Sequence, residues 1–312
     1  MSKSLDRLTL LETFVRIADA GSISAAARDL GLSQPSTSRQ LAELESRFKA
    51  QLMRRTTHSL ALTEAGRELL ADARQLLDEW EALEEKHLDA ETTPQGQLKV
   101  IAPIALGQLH LLDMAIQFQQ QYPLISLSWH LEDHSIRFAE VGCDCWIKIG
   151  PVTDESLIVE PLGQVERLVV AAPQLLAAHS RPKTPGSLET FPFVALEPFE
   201  GRQIPLNNTR GKTTVVSPVV RMLTNNISAL RQATLAGLGA AVMPRWFIEE
   251  DLNHQRLIDV LPKWRAPTLT IHVASLPGRH RPYRLTSFLD ALKRTVPEIP
   301  GIITKHEVNL IF

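Results

Sequence analysis

Between residues 23 and 48 the chain carries a pattern with few structural solutions: a short alanine-rich stretch, a glycine, and at once a second stretch opened by Ser33 and Pro35. Ser24 is placed to cap a helix over residues 25–30. Gly31 stops it, because a left-handed backbone costs glycine least. Ser33 restarts the chain as a helix, with Pro35 in its first turn, where a missing N–H has no partner to lose. Leu41, Leu44 and Phe48 give this helix an inward face. Upstream, Leu8, Leu11, Val15 and Ala18 recur at helical spacing until Gly21, so a first helix over residues 8–20 backs the pair.

Opposite the leucines, the first two turns of the third helix present Gln34, Ser36, Ser38 and Arg39. These are short polar and basic side chains of the kind that reach base edges and phosphates, and the helix start offers amides to a phosphate. Residues 52–62, with Arg54 and Arg55 between apolar ends, predict a small hairpin or wing beside it. The chain is slightly acidic overall, with a net charge of -2, but the acid is local. Residues 1–66 hold nine Lys/Arg against seven Asp/Glu, residues 67–93 three against nine, and the remainder twenty-one against nineteen. Spacing alone leaves two readings open: a helix-turn-helix that enters a DNA groove, or a three-helix bundle with an ordinary solvated face.

From Thr63, a good N-cap, to about residue 91 no proline interrupts the chain. Leu69, Ala73, Leu76, Trp80, Leu83 and His87 alternate by four and three, the seam of a helix that pairs with a second helix or lies along its own domain. Thr92, Thr93, Pro94, Gln95 and Gly96 form a polar hinge. Beyond it, strand candidates at 98–102, 125–131, 143–149, 167–172, 193–196, 215–220, 240–243 and 269–274 alternate with helical stretches such as 107–121 and 227–236. That alternation predicts an α/β domain around mainly parallel sheets.

At 312 residues the chain is long enough for two or three cores. No stretch is apolar enough for a membrane span, and Asp6, Arg7 and Glu12 break any secretory signal, so a cytosolic protein is expected. Cys143 and Cys145, one residue apart on a strand, point to opposite faces and read as reduced, buried thiols. The ten histidines show no ligand spacing, so neither a metal nor a cofactor is expected. Gly237-Leu238-Gly239 lacks the context of a nucleotide loop and reads as a helix end. Motifs of serine hydrolases, phosphate-binding loops and zinc proteases do not occur, which argues against an enzyme.

Residues 5–66, with LLETFVRIADAGSISAAARDLGLSQPSTSRQLAELESRF followed by LMRRTTHSLALTEAG, closely resemble the winged helix-turn-helix of LysR-type transcriptional regulators. The likeness continues more loosely through GQLKVIAPIALGQ, FQQQYPLISLSW, DCWIKIG and ATLAGLGAAVMP. It implies a multi-domain α+β chain: a DNA-binding domain (1–66), a linker helix that pairs subunits (67–93), and a periplasmic-binding-protein-like effector domain (94–312). The last has two α/β lobes, lobe one at about 97–163 and 268–295 and lobe two at about 164–267. It also implies double-stranded DNA, a small organic effector, and a homodimer or homotetramer. By resemblance, Gln34, Pro35, Ser36, Ser38 and Arg39 take the groove-facing positions and Arg54 and Arg55 those of the wing. Thr37 stands where the family has an aliphatic residue, so its hydroxyl needs a partner such as the Ser33 carbonyl.

In such a domain the ligand lies beyond the carboxyl ends of the strands. The candidates are Pro103, Ile104 and Ala105 after the first strand, His130 after the second, Leu196 to Pro198, and Thr224, Asn225 and Asn226 before a helix. The last three serve either as caps or as a carboxylate site. Family members commonly carry a hydroxyl where this chain has Ile104 and Ala105, so the effector is expected to be more apolar than a simple dicarboxylate. The competing function is a solute-binding or transferase-like α/β protein whose N-terminal helices serve assembly alone.

Overall fold

The computed structural model describes residues 6–55, 60–87, 93–277 and 281–303. The chain opens with α1 (Arg7–Ala20), α2 (Ile23–Asp29) and α3 (Gln34–Phe48), then an antiparallel hairpin of β1 (Met53–Arg55) and β2 (Leu60–Leu62). The tip of the expected wing, residues 56–59, lies outside the described residues. α1 ends at Gly21, whose φ of 61° is left-handed, and it buries Leu10, Leu11, Thr13, Phe14 and Ile17. Leu8, Val15 and Ala18, predicted for that face, are only half-buried. Ser22, not Ser24, caps α2. Its extended backbone lets Oγ accept the Ala25 N–H at 3.4 Å, so the helix starts two residues earlier than expected. Ser33 caps α3 as expected, accepting the Ser36 N–H at 3.3 Å. Leu41 and Leu44 reach the core, but Phe48 is 52% exposed: it is the last helical residue before left-handed Lys49, at the rim of the bundle.

α4 (Glu64–His87) follows, capped by Thr63, whose Oγ1 accepts the Gly66 N–H at 3.0 Å. Its expected seam divides. Leu69 and Ala73 pack into the N-terminal core beside Leu70. Leu76, Trp80 and Leu83 remain 40–48% exposed. The expected end at residues 88–91 lies outside the described residues. No described helix is long and apolar enough to cross a membrane.

The remainder runs β3 (Gly96–Ala102), α5 (Ile104–Leu106), a π-helical turn (Gly107–Leu111), α6 (Leu112–Gln121), β4 (Ile125–Leu131), α7 (Phe138–Val141), β5 (Cys145–Ile149) and β6 (Ile158–Ala171). It continues with α8 (Pro173–Ala178), β7 (Pro192–Leu196), β8 (Ile204–Asn208), β9 (Thr213–Val216), β10 (Val219–Thr224), α9 (Ile227–Leu235) and β11 (Ala241–Pro244). Last come α10 (Arg245–Asn253), β12 (Ile258–Asp259), β13 (Trp264–Ser275), α11 (Tyr283–Thr295) and β14 (Ile302–Ile303). One core gathers Leu98, Leu106, Phe118, Ile147 and Phe288. Further clusters form around Val169, Phe193 and Leu206, and around Val194, Leu230 and Met243.

The mainly parallel expectation is corrected. β3 pairs in parallel with β4 and β5, and β7 with β10. The spine, however, is the antiparallel pair β6 and β13. The chain leaves the first core along β6 and returns along β13, and two strands that make opposite journeys between the same cores must run antiparallel. The strand expected at 215–220 is two strands, split at Ser217–Pro218, where proline cannot donate to a ladder. Cys143 and Cys145 are free and buried, with Cys143 just ahead of β5 rather than in it.

Candidate DNA interface and effector cleft

α3 is held by its leucine-lined back and offers the opposite edge to solvent. Gln34, Pro35 and Arg39 are exposed and Ser36 and Ser38 half-buried at its start, while Thr37, Gln40, Leu41 and Leu44 are buried behind them. Arg54 on β1 is exposed, and the side chain of Arg55 lies outside the described residues. Arg39 Nε donates to the Pro35 carbonyl at 3.3 Å, which lays the guanidinium along the helix surface. The amides expected to receive a phosphate are fewer than foreseen. Ser33 takes that of Ser36 and Pro35 has none, which leaves the Gln34 amide among the first three.

Three side chains that sequence reasoning passed over aim this edge. Thr13 Oγ1 on α1 donates to Gln40 Oε1 on α3, a polar bond inside the core that ties the two helices in one rotation. Glu45 Oε1, on the far end of α3, accepts the N–H groups of Leu52 at 2.8 Å and Met53 at 3.2 Å, which binds the hairpin to the same helix. The only sequence signal for either was a polar residue on an apolar helix face. Thr37 is fully buried and its hydroxyl donates to the Ser33 carbonyl at 3.2 Å, the partner expected for it.

The cleft candidates gather in two groups. Pro103 caps α5 at the carboxyl end of β3, Ala105 is buried, and the Ile104 N–H donates to Asp133 Oδ1 at 3.0 Å. Leu196 and Thr224 are register partners at the carboxyl ends of parallel β7 and β10, and Glu197 N–H donates to the Thr224 carbonyl at 2.8 Å, which brings Pro198 to the same place. Asn226 caps α9, its Oδ1 accepting the Ala229 N–H at 3.0 Å, while Thr224 Oγ1 accepts the Asn226 N–H at 3.2 Å. Asn225 is exposed between them. His130 is not brought to Ile104. On β4 the inward residues are Leu127, Trp129 and Leu131, which pack against the first core, so His130 points from the other face of the sheet. Gly237, left-handed at φ 78°, follows the end of α9, and a Cβ on Gly239 would lie 2.8 Å from the Phe193 backbone. This pair of glycines therefore serves a helix end and a close packing contact.

Comparison with known proteins agrees with both halves. Residues 8–67 match the family model of bacterial regulatory helix-turn-helix proteins of the lysR family, and residues 91–297 match the LysR substrate binding domain. The chain is 28% identical to the probable HTH-type transcriptional regulator LtrA of Klebsiella pneumoniae, over 95% of this chain and 97% of that one. It is 27% identical to the HTH-type transcriptional regulator PtxR of Pseudomonas aeruginosa, over 98% and 100%. Among solved structures, CrgA, a LysR-type transcriptional regulator from Neisseria meningitidis, superposes with a TM-score of 0.58 at 26% identity, over 94% of this chain and 99% of that one. A helix-turn-helix with an outward edge, followed by the long α4 and an α/β domain, matched along nearly the whole chain, places this protein in the LysR family of transcriptional regulators, with a DNA-binding domain and an effector-binding domain.

Proposed function

We propose that Gln34, Pro35, Ser36, Ser38 and Arg39 form the edge that reads operator DNA, with Arg54 and Arg55 on the adjacent backbone or minor groove. The observation that carries this reading is the outward aim of Gln34 and Arg39 above buried Leu41 and Leu44. In this reading residues 1–66 bind DNA, 67–93 pair subunits and 94–312 sense the effector, with lobe one at about 97–163 and 268–295 and lobe two at about 164–267. The exposed Leu76, Trp80 and Leu83, spaced by four and three, support a homodimer or homotetramer built through α4. Two reading helices then meet half-sites about one helical turn apart, and the protein works in the cytosol.

The effector binds between the lobes, near Ile104 and Ala105 on one side and Leu196, Pro198 and Thr224 to Asn226 on the other. It has more apolar surface than a dicarboxylate. Asp133 already accepts the Ile104 N–H and Asn226 the Ala229 N–H, so one amide at each helix start that could meet a carboxylate is bonded within the protein. Effector binding shifts the balance between arrangements of the two DNA-binding units.

Footprinting on the DNA upstream of the protein's own gene tests the first reading. A protected site with two spaced half-sites is expected. Ligand binding with no protected DNA would instead make this a solute-binding protein whose N-terminal helices serve assembly. Calorimetric titration with small organic acids tests the second reading, and tight binding of a simple dicarboxylate would overturn it.

A further inference from the structure

The linker helix docks on its own effector domain through a cluster of charge. Arg284, the second residue of α11 and 6% exposed, pairs with Asp78 at 2.9 Å and with Glu81, both on α4, and lies 3.8 Å from Asp144 ahead of β5. One turn further along α4, Glu85 accepts the Tyr283 N–H at 2.6 Å. Asp144 is fixed from the other side, accepting the Lys99 N–H at 2.7 Å.

Among the described residues, three carboxylates thus surround one guanidinium with that of Glu85 a turn away, and the other cations nearby pair with other groups as well. Lys99 Nζ donates to the Val141 carbonyl at 2.8 Å, Arg281 pairs with Glu160 at 2.8 Å, and Arg74 pairs with Asp19 on α1. Gln75 and Glu79 on α4 line the same recess, adding no positive charge. Like charges held this closely cannot all stay ionised in a partly desolvated site.

We propose that this cluster is a proton-binding site, centred on Asp78 with Arg284, Glu81 and Asp144, and that proton occupancy strengthens the docking of α4 on the effector domain. Burial, and then the charge of Asp144, push Asp78 from its usual 3.8 up to about 7 against the opposing pull of Arg284. Burial raises Asp144 and Glu85 as well. When α4 is undocked, Asp78 is a wetted carboxylate near its usual value. Between the two values the docked form holds a proton that the undocked form lacks, so docking strengthens as pH falls below about 7 and weakens as it rises through that value.

α4 also carries the DNA-binding domain, through Leu69, Leu70 and Ala73 and through the Arg74 pair with Asp19. Protonation near neutrality therefore sets how firmly the DNA-reading unit is tied to the sensing unit.

Hydrogen exchange on the full-length protein reads the docking directly, in peptides covering α4 and the start of α11. With a third of the Asp78 side chain still accessible at 33%, linkage of one proton predicts that protection falls roughly five- to tenfold from about pH 6 to about pH 8, after correction for intrinsic exchange rates. Asp78→Asn, which is neutral at every pH, is expected to flatten the profile at the high-protection level. A wild-type profile already flat, or a variant profile that tracks the wild type, overturns the proposal. If the variant does not fold, carboxyl-carbon NMR on wild-type protein labelled at aspartate decides. An aspartate titrating near neutrality is expected, and a spectrum in which every aspartate titrates in the ordinary range overturns the proposal.

Discussion

Thr13 and Gln40, twenty-seven residues apart and both buried, are joined by a hydrogen bond from the threonine hydroxyl to the glutamine carbonyl oxygen. The bond fixes the rotation of α3 on α1, and so the direction in which Ser36, Ser38 and Arg39 point. Thr13→Val keeps the shape but strands the Gln40 oxygen in the core, which costs about 1 to 3 kcal/mol. Pairing it with Gln40→Leu replaces both partners by apolar groups and is expected to recover most of that stability in urea denaturation. Operator affinity should not recover in step with stability, because nothing then sets the rotation. Equal recovery of both in mobility-shift titration would show that the bond only stabilises the domain.

Base readout and backbone contact are separable among the residues proposed to face DNA. If Ser36 or Ser38 touches a base edge, its alanine variant loses about 1 to 3 kcal/mol at one operator position and leaves other positions unchanged. Arg54→Ala is expected to weaken all sequences alike and to lower the salt dependence by about one counterion. Binding measured against an operator mutant series at two salt concentrations distinguishes them. A uniform loss for the serine variants would assign them to positioning.

How far the sequence alone carried these conclusions depends on the range of the interaction concerned. Local signals sufficed for Gly21, Ser33, Pro35 and Gly31, because caps and left-handed turns are decided within a few residues. Even there Ser22 displaced Ser24, since two serines two residues apart both look like caps and only backbone geometry chooses between them. The outward edge of α3 was legible from its period, and the Thr37 partner from its reach to the preceding turn. The long β6 and β13 were not, because their antiparallel pairing joins residues about a hundred apart, such as Val165 and Leu269, and the interruptions by Pro161 and Pro267 make each look shorter. Thr13, Gln40, Glu45 and the cluster at Arg284 were illegible for the same reason: a polar residue on an apolar face shows no partner until the fold brings one.

Gly66 lies in the first turn of α4, where alanine would ordinarily add about 1 kcal/mol of helix propensity. Here a Cβ would sit 2.0 Å from the Leu52 carbonyl oxygen, which already accepts the Thr63 N–H at 3.0 Å. Backbone cannot swing aside as a side-chain tip can, so the clash wins. Gly66→Ala is expected to destabilise the N-terminal domain by about 1 to 3 kcal/mol net and to loosen the hairpin from α4. Thermal unfolding checks the sign, and a stabilised variant would mean that α4 starts further from Leu52.

Both thiols are poor nucleophiles in the folded protein. Burial pushes Cys143 up to about 12, with the neighbouring Asp144 adding to the rise, and burial pushes Cys145 well above its usual value. Since only the thiolate reacts, neither cysteine is expected to be alkylated at neutral pH under native conditions, while both label after unfolding. Rapid native labelling in a mass-spectrometric time course would contradict the packing around β5.

Asp251 on α10 is fully buried and receives Arg231 from α9 through two bonds, at 2.5 and 2.8 Å, and Arg256 through a third at 2.8 Å. A lone carboxylate there would be costly, but three charge-assisted bonds satisfy it and clamp α9 to the end of α10. The pair as a whole need not add stability, because desolvation offsets much of the attraction; removing one member is a different matter. Asp251→Ala leaves Arg231 facing a buried site with no counter-charge and is expected to cost about 3 to 5 kcal/mol. Arg256, more exposed and redundant with Arg231, should tolerate alanine with little change. Since α9 carries the Asn226 cap at the proposed cleft, the Asp251 variant is also expected to lose effector binding before the N-terminal domain melts. Calorimetry would then show two transitions where wild type shows them closer together. An Asp251 variant as stable as Arg256→Ala would place the clamp's contribution in Leu230 and Ile248 packing instead.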